Sequence, residues 1–149
     1  MRILGVAAAI AVAAYVFLFS LDQYLQHRSG PWTVVFQASP GGEPSLSISH
    51  QRKGIEEVTI LFSGVTNDPV STVVEFRKPT VSIPFGRLKH TDLTYLPGTV
   101  TLEVFGHEIE LLPRTLYINR QEKEWRSGDV IRLGPWNRPP DLPEPLAKE

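Results

Sequence analysis

The stretch 99-TVTLEVFGHEIELL-112 decides the fold of most of this chain. Aliphatic residues alternate with polar ones on both sides of Gly106, and a period of two is typical of a strand with one buried face. A turn at Gly106 brings the aliphatic residues of the two halves opposite each other, namely Leu102, Val104, Ile109 and Leu111. The glutamates point the other way, so the sequence predicts a β-hairpin with one apolar and one acidic face.

The same alternation extends outward from this hairpin in both directions. We predict its two strands at 99–105 and 107–112, and others at 32–37, 45–51, 58–62, 70–76, 80–85, 115–119 and 130–133. Pro79 and Pro84 place the strand at 80–85 at a sheet edge or a bulge, because proline cannot donate to the ladder. The segment 86–98 breaks the alternation and is the longest predicted loop. Trp32 belongs to the predicted strand 32–37, and we expect its side chain in the core.

These short strands, separated by glycine and proline turns, predict an all-β sandwich. An immunoglobulin-like sandwich is the first expectation, and a jelly-roll-like sandwich or small barrel is the second. The chain has no cysteine, so an immunoglobulin-like domain would lack its cystine. No sustained helical period occurs outside the N-terminal region, and we expect no second long helix.

The N-terminal segment 3–21 contains no charged residue and no proline, and it is long enough to cross a bilayer as a helix. We predict one transmembrane helix that stays attached as a signal anchor. The alternative is a cleaved signal peptide, since Ala11-Val12-Ala13 resembles a cleavage site. Large apolar residues continue well beyond that site, which favours the anchor.

The expected location is the bacterial inner (cytoplasmic) membrane, crossed once, with a cytoplasmic N-terminus and a periplasmic C-terminal domain. We divide the chain into three regions, which are an anchor and juxtamembrane helix at 1–29, an extracytoplasmic β-sandwich at 30–134, and a tail at 135–149. The tail is rich in proline, with five in fifteen residues, which favours extended or disordered chain. It is either solvated or lies on a partner.

Two groups of residues are candidates for binding a partner. Gly5, Ala9 and Ala13 are spaced by four and share one helix face, and small residues at that spacing let another transmembrane helix approach closely. The second group lies in the predicted loop 86–98, since long structured loops often carry function, and in the tail, where Trp136 is the one large aromatic residue. It consists of Arg87, Lys89, His90, Tyr95 and Trp136.

Basic residues recur in the last third of the chain, at Arg114, Arg120, Lys123, Arg126 and Arg132. Acidic residues lie between them, and this alternation indicates a solvated surface with salt bridges. The alternative is a docking patch for an acidic partner.

Composition and motifs exclude several classes of function. The net charge of −1, from 15 basic and 16 acidic residues, gives no support for nucleic-acid binding. The chain has no glycine-rich phosphate loop and no H-E-x-x-H sequence. His107 and Glu108 point to opposite sheet faces, so we expect ordinary surface charges at this hairpin tip and no metal or cofactor.

We therefore expect a non-enzymatic, single-pass accessory or assembly subunit of a larger membrane complex, of a respiratory, photosynthetic, transport or envelope type. Its partners are the lipid bilayer and membrane proteins, contacted through the helix and the β domain. One alternative is a free-standing, membrane-anchored envelope module that binds polysaccharide or a secreted protein. Another is an anchored hydrolase with a serine or carboxylate pair.

Overall fold

The N-terminal helix is separate from the rest of the chain. The computed structural model describes residues 2–28, 31–93 and 98–136, and helix α1 spans Arg2–Arg28. Its segment Gly5–Asp22 has a mean hydropathy of 2.0 and none of it is buried. The helix is long and apolar enough to serve as a membrane anchor or a signal sequence.

The remaining described residues are mostly β. The strands are β1 Thr33–Ala38, β2 Pro44–His50, β3 Ile55–Phe62, β4 Ser71–Glu75, β5 Arg87–Asp92, β6 Thr99–Val104, β7 His107–Leu111, β8 Thr115–Ile118, β9 Gln121–Glu124 and β10 Val130–Leu133. A short 3-10 helix, Gln51–Lys53, connects β2 to β3.

The strands form two five-stranded sheets. The first has the order β10-β3-β2-β1-β4, in which β10 runs parallel to β3 and the other neighbours are antiparallel. Strands β1 to β4 make a Greek key, because β4 returns to lie beside β1. The second sheet, β5-β6-β7-β8-β9, is an antiparallel meander.

The hairpin predicted around Gly106 is confirmed. Leu102 pairs with Ile109 across β6 and β7, and the turn consists of Phe105 and Gly106. Both turn residues have positive φ, 49° and 79°, as a two-residue type I′ turn requires. The right-handed twist of the flanking strands favours this turn type.

Buried aliphatic and aromatic side chains of both sheets form one core. Trp32 lies in it with none of its surface exposed, which confirms its expected position. Its indole stacks on Trp125 at a centroid distance of 4.7 Å and meets the ring of His50 edge-on at 4.8 Å. The indole N–H donates to the carbonyl of Gly98.

Two sequence predictions are wrong in detail, and one strand was not predicted. Residues 80–85 form no strand, and two prolines next to and within this segment remove backbone donors. The predicted loop 86–98 contains β5, whose bulge interrupts the alternation used to find strands. Strand β9 went unpredicted because all four of its residues are polar and exposed.

Candidate functional site

A bulge in β5 places basic side chains on the outer face of the second sheet. Leu88 pairs with Leu102 and His90 with Thr101, so Lys89 is the extra residue between them. Such a bulge bends the strand and redirects the side chain at that position. Lys89 consequently reaches carboxylates on β6 and β7.

These charges form a connected chain of ion pairs. Lys89 Nζ lies 2.7 Å from a Glu108 oxygen and 3.3 Å from a Glu103 oxygen. Arg87 pairs with the same Glu103 oxygen at 2.8 Å, and Arg120 Nε is 4.0 Å from Glu108. The Lys89–Glu108 pair is the most shielded, since 19% and 21% of these side chains are exposed.

Two glutamates of this face have pKa values shifted in opposite directions. The Arg87 guanidinium holds the pKa of Glu103 below its usual value. Burial raises the pKa of Glu110, and the neighbouring Glu108 carboxylate raises it further. On the outer face, Glu103 is therefore an ion-paired carboxylate, whereas the Glu110 carboxyl group retains its proton more readily.

The hairpin tip is not an ordinary charged surface, because His107 is buried with 3% of its area exposed. Its Nε2 lies 3.0 Å from the carbonyl oxygen of Gly134, and its Nδ1 lies 2.9 Å from Asn119 Nδ2. The ring thus joins β7, the β8–β9 turn and the chain after β10. We call this arrangement the His107 clasp. The expectation of surface charges at this position is wrong because the chain after β10 folds over the tip.

The hydrogen bonds of the clasp determine which His107 nitrogen carries the proton. The Glu108 N–H donates to Asn119 Oδ1 over 3.0 Å, so the Asn119 amide turns its NH₂ group toward the ring. His107 Nδ1 must accept that bond, which leaves Nε2–H to donate to Gly134. Burial lowers the pKa of His107, and this agrees with a neutral ring.

Trp136 lies against the clasp and beside the ion pairs. Its ring is 6.0 Å from that of His107, and 37% of its surface remains exposed. A cavity of about 140 Å³ is lined by Trp136 together with Lys89, Glu108 and Arg120, among others. The structure therefore brings an aromatic ring and a charged pair into one shallow depression.

Two of the five residues predicted to bind a partner line this depression. Lys89 and Trp136 both line it, and Arg87 is connected to it through Glu103. His90 is exposed on β5, and Tyr95 lies outside the described residues. The sequence predicted that the hairpin glutamates share one acidic face and included Arg120 among the basic residues, but it did not assign Glu103, Glu108 or Arg120 to the partner-binding group.

The small-residue group of the N-terminal helix is exposed at all three positions. Gly5, Ala9 and Ala13 are exposed on α1. A Cβ atom built on Gly5 would meet no atom within 4 Å. This face of the helix is open to a neighbour.

The outer face of the first sheet contrasts with the charged face of the second. A row of uncharged residues crosses all five strands in register, consisting of Val130, Thr59, Ser47, Val35 and Val73. Because charged residues are depleted at the centres of protein interfaces, this surface is compatible with protein contact.

The described residues contain no group of three or more histidine, aspartate or glutamate side chains placed to hold a metal ion. Comparison of the chain with protein-family models, with curated proteins and with solved structures found no match.

Protonation of His107 is expected to weaken the fold. The pKa is lower in the folded chain than the usual 6.5, so the unfolded chain binds the proton more readily. The free energy of unfolding should therefore fall as the pH drops below 6.5 and through the folded pKa, with no further loss from this group below that point. Urea unfolding of the full chain in detergent micelles, between about pH 7.5 and pH 5.5, measures this change.

Two histidine variants separate this effect from other titrations. His107→Gln should reduce the pH dependence of the unfolding free energy between about pH 7.5 and pH 5.5. His90→Gln changes a histidine at an exposed position and should leave that pH dependence as it is in the wild-type chain. A pH dependence in His107→Gln as steep as that of the wild-type chain would contradict the assignment.

Proposed function

We propose that this protein is a non-enzymatic, single-pass accessory or assembly subunit of a larger membrane complex. Helix α1 acts as an uncleaved anchor in the bacterial inner membrane, with a cytoplasmic N-terminus and a periplasmic β domain. The helix contacts a transmembrane partner, and the β domain contacts the same complex outside the bilayer. Tethering by the helix raises the effective concentration of the second contact to about the millimolar range.

The observation that carries the proposal is the open small-residue face of the apolar helix. In the described structure none of the segment Gly5–Asp22 is buried against the β domain. Gly5, Ala9 and Ala13 are therefore available to another helix. In lipid, close packing through small residues is a main source of attraction between helices.

The depression beside Trp136 supports a second contact on the β domain. Its aromatic ring is partly exposed, and aromatic residues are enriched at protein interfaces. Lys89 and Arg87 already bind glutamates of their own sheet, so they hold the shape of this surface while Trp136 offers apolar area. We propose Arg87, Lys89, His90, Tyr95 and Trp136 as the partner-binding group.

The sandwich type forms part of the proposal. The Greek key of β1 to β4 supports an immunoglobulin-like or jelly-roll-like sandwich, because this motif occurs in most β-sandwiches. The second sheet differs from the immunoglobulin arrangement, in which strands C, F and G form one sheet without D and E. Its five strands are consecutive in the chain, which favours a sandwich that joins a Greek key to a meander.

Substitution of Ala9 tests the helix contact. Ala9→Leu places a large side chain on the open face and should reduce co-purification of the membrane partner by about tenfold, since the helices can no longer approach closely. The measurement is affinity purification of the full chain after gentle solubilisation, followed by quantitative mass spectrometry.

Ala11→Leu is the matched control, because it makes the same change about 200° around the helix from Ala9. It should leave co-purification unchanged. Equal recovery of partners with both variants would contradict the helix contact. Migration of the gently solubilised wild-type chain as a lone monomer would overturn the subunit proposal and favour the free-standing binding module.

A further inference from the structure

A groove lies between the last strands of the two sheets, next to the depression that contains the ion pairs and on the other side of Asn119 and Trp136 from it. Strand β9 ends the second sheet and β10 ends the first, and a cavity of about 310 Å³ lies between them. Ile118, Ile131 and Leu133 supply its apolar floor, and Trp136 also lines it.

The charged residues of the groove are both basic. Lys123 pairs with the buried Leu116 in the β8–β9 ladder, so it projects from the core-facing side of the sheet. Arg132 lies on β10 at the rim, on the opposite face of the strand from Ile131 and Leu133. Within residues 31–93 and 98–136, neither cation has an ion-pair partner, a property that they share with Arg52, Lys53, Lys78 and Arg114 outside the groove. The other described arginines and lysines outside the helix each have a carboxylate within 4.0 Å, namely Arg77, Arg87, Lys89, Arg120 and Arg126. The groove therefore carries positive charge that its own residues leave uncompensated.

The walls of the groove are strand edges. In the described chain no further strand pairs with the outer side of β9 or of β10. An edge strand presents alternate N–H and C=O groups that an extended peptide can pair with. Backbone pairing, an apolar floor and two cations are complementary to an extended peptide in which aliphatic and acidic residues alternate.

We propose that this groove binds an extended, acidic segment of a partner protein, with its aliphatic side chains on Ile118, Ile131 and Leu133 and its carboxylates on Lys123 and Arg132. This inference rests on the proposed subunit function, because it names the kind of partner segment that the β domain engages. It also assigns a role to two of the basic residues of the last third of the chain, Lys123 and Arg132.

The alternative explanation for Lys123 is protection of an open edge. An inward-pointing lysine on an edge strand discourages pairing between copies of a chain. In that case removal of the Lys123 charge should promote self-association and should leave the affinity for the peptide unchanged. The two explanations therefore give opposite results in one experiment.

The experiment uses the full chain in nanodiscs of phosphatidylcholine and a short fluorescent peptide in which leucine or valine alternates with aspartate or glutamate. Binding is followed by fluorescence anisotropy. The double variant Lys123→Gln/Arg132→Gln should weaken the affinity by about tenfold, since two rim charges are lost. Added salt should weaken wild-type binding as well.

Two controls make the result specific. Arg52→Gln/Lys53→Gln removes the same charge from an exposed turn outside the groove and should change the affinity by less than about twofold. A peptide with lysine in place of each acidic residue should not bind.

Equal losses in both double variants, or no binding of the acidic peptide to the wild-type chain, would overturn the groove assignment. Self-association of the Lys123→Gln/Arg132→Gln chain without a loss of peptide affinity would assign these charges to edge protection. If the wild-type chain binds phosphatidylglycerol vesicles and not the peptide, and the Lys123→Gln/Arg132→Gln chain loses that vesicle binding, the groove binds lipid and the peptide proposal is wrong. Each of these failures leaves the Ala9→Leu test of the subunit function intact.

Discussion

Replacement of Gly86 by alanine is expected to destabilise the β domain by about 3–5 kcal/mol, which combines left-handed strain with steric overlap. Gly86 has a φ of +81°, a conformation that side chains rarely adopt. A Cβ atom at this position would overlap the carbonyl oxygen of Glu103 and would lie 3.0 Å from the Cα of Val104. Both of these atoms belong to the backbone of β6, so they cannot move aside without disrupting the sheet.

Gly86 also has a functional connection. It immediately precedes β5, so displacement of Gly86 would move Arg87 and Lys89 away from Glu103 and Glu108. The variant should lose the ordered outer face of the second sheet together with stability. Urea unfolding of the full chain in detergent micelles, followed by tryptophan fluorescence, measures the stability change.

Gly128→Ala provides the matched control. Gly128 has nearly the same φ, +85°, but a Cβ atom there would meet nothing within 4 Å. This variant should cost only about 1–2 kcal/mol, the strain of a left-handed residue. The difference between the two variants therefore measures the steric contribution at Gly86. Equal destabilisation by both substitutions would show that β5 can shift to admit the methyl group.

Replacement of Trp32 by alanine should remove about 3–5 kcal/mol of stability, the range observed for large aromatic residues in cores. Trp32 has no exposed surface, stacks on Trp125 and contacts His50. Its indole also donates a hydrogen bond to Gly98, which precedes β6. The substitution consequently leaves a cavity and an unpaired carbonyl at once.

Against a typical total of about 5–15 kcal/mol for a domain, this loss should leave the Trp32→Ala chain partly unfolded at 37 °C. The matched control is Trp136→Ala, because Trp136 is 37% exposed and lies at the surface of the His107 clasp. It should cost about 1 kcal/mol or less. Similar unfolding midpoints for the two variants would contradict the central position of Trp32.

Particular residues show why some elements could be predicted and others could not. The hairpin around Gly106 was accessible from sequence because its register follows from local alternation and a short turn. Strand β9, with the sequence Gln-Glu-Lys-Glu, carries no such signal. It pairs only because the Asn119–Arg120 turn directs it back along β8.

The candidate site shows the same division. The sequence identified Lys89 and Trp136 separately, but they are far apart in the chain, and the depression exists only because β10 returns to the first sheet. That return carries Gly134 to His107 and converts an apparently exposed histidine into a buried one. The basic residues Lys123 and Arg132 were likewise visible in sequence, whereas the groove between them was not.

The sequence by itself determined the apolar N-terminal helix, the β character of the remainder, the central hairpin and the core position of Trp32. These features depend on composition and on periods of a few residues, which a linear chain displays directly. Only the tertiary structure decided the division into two sheets, the bulge at Lys89, the His107 clasp and the groove between β9 and β10. Each of these joins segments distant along the chain, so its formation depends on the packing of the whole domain and on no local pattern.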